Sequence, residues 1–405
     1  MTVSRKSCAT CMAEGVTSAR IIALRRRVLS DERMAACKLV VHTLVTGRAR
    51  RMASWGVSAR RQRGGRIERI VVVVDLHTQP PSLGDPLVLL EAGLVLREEH
   101  PGARLELVVL AEPDQRHRHQ DFAHLTAAQI SAWADVVATM LRGFEHVASV
   151  RVFRDRSRLE GFLADAAGNG LVWPGPAAYL GIPSDMARFL RPSEAPGLHQ
   201  MQPLYLYYPA HNEILHPFVS NHGYLPHLAV IPEIQREADR LIGAIGKRIV
   251  VSMNLRSNPL LSPGRNSNFA GWRAFFAFAV SRYPEVGFVV VGTSAEAEQL
   301  GSPGANVTVA KREGSSILLD LALISGAAAH LGAGSGPAVM AEFGDKPYSY
   351  WVPTILPELY LGSRRETGVV YLSHCRPDQR MITDPETDEL ILQHGTALLD
   401  GLVGR

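Results

Sequence analysis

Three glycines at alternating positions, Gly332, Gly334 and Gly336, lie in the stretch HLGAGSGPAVMAEFGDKPY from His330 to Tyr348. Such glycines let a backbone turn sharply and come close to a ligand. Pro337 suits the first turn of a following helix, where its missing N–H costs nothing. The N–H groups of that turn, with the helix dipole, attract an anion such as a diphosphate. A plain strand-to-helix turn that needs glycine only for packing accounts for the same letters.

Residues of matching chemistry stand elsewhere. Arg256 follows the apolar run RIVVSMNL (248–255), with Arg265 and Asn266 a few residues on; Gly292 and Thr293 follow VGFVVV (286–291). Two arginines beside a glycine-rich turn form a cradle for a diphosphate, because guanidinium groups offer paired N–H donors. Ser335 can add its hydroxyl. Each has a structural alternative. Arg256 can pair with a carboxylate between domains, Asn266 and Asn268 can cap the helix that starts at Phe269, and Ser335 can cap its own helix. Glu342 is read as a solvated helix residue, with a ribose hydroxyl as the other partner considered.

These residues need elements to hold them. Ile70–Val74 (IVVVV) reads as a strand buried on both faces and ending in Asp75. The helix from Asp85 to His100 is expected to have Asp85 as its N-cap and Pro86 at its first position. Arg104–Leu110 is the next strand, which completes a parallel βαβ unit. The pattern continues through a helix over 128–144, a strand over 150–153, a helix over 158–167 and a strand over 171–173. Residues 174–202 read as loop and 204–208 as a strand. Residues 209–232 carry His211, His216, His222 and His227 and four prolines; they read as an irregular connection with solvated or hydrogen-bonded histidines. A second, more regular β/α series runs from Pro232 to the glycine-rich turn, and Asp388–Leu402 reads as a terminal helix.

The expected fold class is therefore α/β, with two facing Rossmann-like domains and a ligand cleft between them. The expected boundaries are a basic, poorly ordered extension over 1–66, a first domain over 67–230, a second over 231–387, and a terminal helix over 388–405 that crosses back to the first domain.

Composition sets the class. The chain has 405 residues, 46% hydrophobic and 20% charged, in the range of globular proteins. No run of eighteen apolar residues marks a membrane span, and no signal peptide is visible, so a cytoplasmic location is the expectation. Cys8, Cys11, Cys37 and Cys375 are too few for a disulfide scaffold. Cys8, Cys11, Cys37 and His42 do not follow a trusted zinc spacing, and no metal is expected. The net charge of +4 hides an asymmetry: residues 1–69 carry +12 and the remainder −8. Clusters such as Arg25–Arg27 could hold the extension against the inner face of an anionic membrane; an undocked tail is the plainer reading. Nucleic acid is not expected, since Trp55 is the only aromatic residue there.

In this layout the turn Ser82-Leu83-Gly84-Asp85 is similar to the Ser-Leu-Gly-Asp turn that opens the first helix of heptosyltransferase-type enzymes. The surroundings of Ser335-Gly336 and Gly344-Asp345-Lys346-Pro347 resemble their nucleotide-binding helix and its exit. The chain thus resembles a GT-B glycosyltransferase over roughly residues 67–400, in architecture more than in letters. The resemblance implies a nucleotide-sugar donor held by the second domain, a glycan or lipid-linked acceptor, no separate cofactor, and Asp85 as the catalytic base. The substrate-binding set is then Arg256, Arg265, Asn266, Gly292, Thr293, Gly334, Ser335 and Gly336. Asp75 and His77 are the fallback bases.

The chemistry fits an inverting transfer. One carboxylate takes the proton of the attacking hydroxyl, and positive charge with N–H donors holds the leaving diphosphate. Two family features are missing: a lysine-bearing phosphate motif after the first strand of the second domain, and a pair of glutamates eight residues apart. No Asp-x-Asp stands at an expected strand end, so a metal-bound diphosphate is not implied. A catalytically silent nucleotide- or sugar-binding protein, or a sugar epimerase or hydrolase on the same fold, are the alternatives.

Overall fold

The structure, a computed structural model, describes residues 67–117, 122, 124–173, 209–258, 263–353, 355, 357 and 360–404. These residues belong to one compact unit. The basic clusters, the cysteine–histidine group before residue 66 and the strand expected at 204–208 lie outside the described residues.

Two α/β sheets face each other. The first contains β1 (Arg69–Asp75), β2 (Arg104–Leu110), β3 (Val147–Phe153) and β4 (Gly170–Trp173), all parallel, in the order β3-β2-β1-β4. Every residue of β1 is buried, as a strand covered on both faces requires. Helices α1 (Gly84–Glu99), α2 (Ala127–Arg142) and α3 (Arg156–Asn169) provide the cover. Thr126 starts α2 with a capping box, in which its hydroxyl and Gln129 exchange bonds with each other's backbone N–H.

The connection expected to be irregular is helical. A π-helical segment, Ala210–Leu215, runs directly into α4 (His216–His222). His211 is buried there, whereas His222 is exposed and stacks on Phe218. Beyond it come α5 (Pro232–Ala244), β5 (Ile249–Asn254), α6 (Phe269–Arg282), β6 (Val286–Val291), α7 (Ser294–Leu300), β7 (Val307–Val309), α8 (Ile317–Gly326), β8 (Ala329–Ala333), α9 (Ala338–Glu342) and β9 (Tyr348–Trp351). Strands β10 (Arg364–Glu366), β11 (Val369–Tyr371) and β12 (Gln379–Ile382) extend this sheet. Its order is β10-β11-β12-β9-β8-β5-β6-β7, antiparallel only among the first three.

In this order β5 lies between β6 and β8, so the connections leave it in opposite directions. A crevice opens at the carboxyl ends of β5 and β8, where ligands bind in open α/β sheets. The glycine-rich turn and the Arg256 loop both begin there.

The terminal helix α10 (Asp388–Val403) lies on α6 and β9 of the second lobe, where its main contacts among the described residues are. Gly395 leaves room for the Phe275 ring, and the Tyr283 hydroxyl donates to Asp400 at 2.7 Å. No described helix is long and apolar enough to cross a membrane.

One apolar cluster runs through both lobes and joins Ile70, Leu90 and Leu105 to Leu321, Ala338 and Tyr348. Shared packing of this kind couples the lobes on unfolding. Leu105→Ala in the first lobe and Leu321→Ala in the second should each cost about 2–5 kcal/mol. Both should shift one common transition in a thermal melt; two separable transitions would show that the lobes unfold independently.

Candidate functional site

The site is assembled from strand ends. Gly332 closes β8 with φ +140, and a Cβ there would collide with the Asn254 carbonyl oxygen on the adjacent β5. Asn254 is buried, and its side-chain N–H groups donate to the Ala333 carbonyl at 2.7 Å and the Ser335 hydroxyl at 2.6 Å. Its own amide oxygen lies 2.8 Å from Nε2 of His330, and Nδ1 of that ring lies 3.0 Å from the Ser252 hydroxyl. An amide oxygen only accepts, so Nε2 carries the hydrogen. Burial pushes His330 down to about 3, which keeps the ring neutral. A polar chain inside the sheet therefore fixes the glycine turn.

The arginines close on the same turn. Arg265 donates to the carbonyl oxygen of Gly334, whose own N–H donates to Trp351 O at 2.7 Å. Arg256 is pushed down to about 10, first by burial and then by the neighbouring Arg265 charge, with Glu296 acting the other way. Two guanidinium groups near enough to repel each other concentrate positive charge at this edge.

Asn266 has another task. Its amide accepts from Asn258 N at 2.8 Å and donates to Asn258 O at 3.1 Å, so it straps the loop that carries both arginines. Asn268 is the cap of α6 and accepts from Gly271 N at 3.0 Å. Thr293 caps α7 in a capping box with Glu296, and the other oxygen of that carboxylate accepts from Ser257 N at 3.1 Å. Gly292, with φ +142, lets Glu296 approach. Thr293 and Gly292 thus shape the edge, while the guanidinium groups and the glycine turn face it.

Helix α9, which follows the turn, has only five residues. Such a short helix adds little dipole, so charge at this edge comes chiefly from the two arginines.

Asp85 arrives from the first lobe. It is not the N-cap: α1 begins at Gly84 and Leu83 occupies the cap position. Asp85 sits in the first turn, buried, with Ser82 donating its hydroxyl to Oδ2 and accepting from Asp85 N at 3.2 Å. A Cβ on Gly336 would lie 2.7 Å from Leu83 Cβ and 2.9 Å from Gly84 N. The Ser82–Asp85 turn therefore rests directly on the glycine turn.

The fallback bases are committed elsewhere. Asp75 pairs with Arg156 at 3.2 Å, and Arg156 also pairs with Glu112 at 3.1 Å. Nε2 of His77 accepts from Glu112 N at 2.7 Å. This network closes the carboxyl edge of the first sheet.

No protein-family model matches the chain, and no curated protein matches it. Solved structures do. A family 9 glycosyl transferase from Veillonella parvula is 14% identical, with 72% of this chain and 82% of that chain covered, at a TM-score of 0.44. The ADP-heptose lipopolysaccharide heptosyltransferase II of E. coli is 13% identical over 82% of this chain and 99% of that one, at a TM-score of 0.46. A UDP-GlcNAc 2-epimerase from Neisseria meningitidis is 12% identical over 82% and 91%, at 0.39.

Three residues of the edge were not singled out from the sequence. Asn254 and His330 were hidden inside apolar strands, although Ser252 and Asn254, two apart in RIVVSMNL, mark one polar stripe on a buried strand. Glu386 accepts from the Trp272 indole and from Asn268 N at 3.2 Å, and burial pushes it up to about 7. It braces the arginine loop from below, and it stands more than a hundred residues away in sequence. Glu342, expected on the surface, is buried.

A cavity of about 460 Å³, lined by His227, Pro232, Gln235, Ile324, Met340 and Lys346, lies at the amino ends of the second sheet. It is on the opposite edge from the arginines, and strand carboxyl ends are where open α/β sheets bind ligands.

Asn254→Ala should leave the His330 N–H without an acceptor and cost about 1–3 kcal/mol, read as a lower urea midpoint. Gly332→Ala should cost at least as much, through the positive φ and the collision with Asn254. An unchanged midpoint in both variants would show that the polar chain does not hold the turn.

Proposed function

We propose that this protein is a glycosyltransferase that moves a sugar from a nucleotide-activated donor to a hydroxyl of a glycan or lipid-linked acceptor, with inversion and without a metal. The observation that carries the reading is the meeting of Arg256, Arg265 and the 332–336 turn with the Asp85 turn of the facing lobe, at the switch point of the second sheet. Positive charge and N–H donors stand on one side, and a carboxylate stands on the other.

In this reading the donor diphosphate lies against the two guanidinium groups and the glycine turn. Asp85 accepts the proton of the acceptor hydroxyl as its oxygen bonds to the anomeric carbon. The bond from that carbon to the diphosphate oxygen breaks, and the diphosphate leaves with the electron pair. The guanidinium groups stabilise the charge that develops on it. The hydroxyl of Ser82 orients the carboxylate. Asp85 is buried, so substrate reaches it only when the lobes part. A basic segment over 1–66 would suit an acceptor carried on an anionic membrane.

A thermal-shift panel of ADP, UDP and GDP and their sugars tests the donor side, because a ligand bound to the native state raises its melting temperature. One nucleotide class is expected to raise it in the wild type and to lose most of that shift in Arg265→Ala. Asp85→Asn should keep the shift and lose turnover by a factor of about 10² or more. A shift with full turnover in Asp85→Asn would remove Asp85 as the base. A shift without turnover in the wild type, on any sugar and acceptor tried, would favour a silent binding protein.

A further inference from the structure

Behind the candidate site, where the lobes touch, ionisable side chains are buried together. Glu91 comes from α1 of the first lobe and is 0% exposed; Glu342 comes from α9 of the second and is 2% exposed. Helix α9 packs on α1. His211 arrives from the connecting π-helical segment and His374 from the loop after β11. The Nε2 atoms of the two histidines lie 3.6 and 3.8 Å from the same oxygen, Oε1 of Glu342. Both separations are too long for a hydrogen bond. The other oxygen of Glu342 accepts from the Tyr350 hydroxyl at 2.9 Å. Tyr360 meets the edge of the His211 ring, and Tyr348, stacked on Tyr350, hydrogen-bonds Cys375. Among the described residues the ion-pair partners of Glu342 are these two histidines, and no group of three His, Cys, Asp or Glu side chains could hold a metal ion.

Two buried carboxyl groups from opposite lobes thus lie near enough for the charge of Glu342 to act on Glu91, and among the described residues no Lys or Arg pairs with Glu342. Burial holds Glu342 up at about 8, and burial together with Glu342 holds Glu91 well above the carboxylate range. Burial keeps His374 down at about 4, and burial with His374 keeps His211 low as well. Burial in the closed junction therefore favours protonated carboxyls and neutral rings. A parted junction lets water reach the carboxyls, whose usual value is 4.5. Between 4.5 and about 8 the closed form holds a proton that the open form gives up. Closure is then favoured at low pH and lost as pH rises through that window. The histidines act the opposite way between about 4 and 6.5, so above 6.5 the carboxyl effect stands alone.

We propose that Glu91 and Glu342, with His211 and His374 beside them, form a proton-linked latch that holds the two lobes closed and releases them as the carboxyls ionise. This goes beyond the glycosyltransferase reading and does not depend on it.

Hydrogen exchange on the full chain, corrected for intrinsic exchange, tests the latch. Exchange in residues 84–99 and 338–351 should speed up by about tenfold per pH unit from about pH 6.5 to about pH 8 and then level off. Val286–Val291, in the second-lobe core, should show no such rise. Glu342→Gln, which keeps the size and can still accept from Tyr350, should flatten the response. Glu91→Gln provides the second variant should the first fail to fold. The latch is overturned if the wild-type segments follow the core strand at every pH, or if a folded Gln variant keeps the full response.

Discussion

The two lobes meet backbone to backbone. A Cβ on Gly84 would lie 3.3 Å from Gly336 Cα and 3.0 Å from the Val339 side chain, and one on Gly336 would press into Leu83 and Gly84. Gly336 permits that approach, because a side chain there would force the two turns apart. The contact sets the distance between Asp85 and the arginine edge, and the apolar cluster shared by the lobes holds it. Neither lobe contains the candidate site alone.

The second lobe then keeps its half of the site rigid from beneath. His330, Asn254 and Ser335 form one line of hydrogen bonds inside the sheet, and Arg265 ties the glycine turn to the arginine loop. Asn266 and Glu386 secure that loop from its own end and from the chain before the terminal helix. Buried polar groups are costly unless their partners are in place, so this line specifies one conformation of the turn. Several residues whose type suits ligand binding are used as such supports. Thr293 and Asn266 are examples, and they leave the two guanidinium groups to face the edge.

The junction between the lobes is not purely apolar. Here part of it consists of carboxyls and imidazoles that are neutral when buried. Neutral groups bury at modest cost, whereas the same groups once charged favour water. The proposed latch rests on that difference between the two protonation states.

Much of the architecture is legible in the letters. The runs IVVVV and VGFVVV, separated by amphipathic helices, dictate buried parallel strands, because only a strand covered on both faces is apolar throughout. The clustering of glycines before Pro337 marks a sharp turn, and Arg256 and Arg265 stand where strand ends should be. Strand order, however, is not local information. That β5 lies beside β8, and so brings Asn254 to the glycine turn, follows from sheet pairing across about eighty residues. The burial of Glu342 and His211 is likewise decided by tertiary packing, since a lone charged residue at the end of a short helix looks solvated until another surface covers it. Even Asp85 changes: its letters suit an N-cap, but the helix starts two residues earlier than that, and the carboxylate sits inside the first turn. Residue types and local periods determined which chemistry was at hand. Long-range packing alone decided which of those groups meet, because pairing and burial depend on contacts that no neighbouring residue encodes.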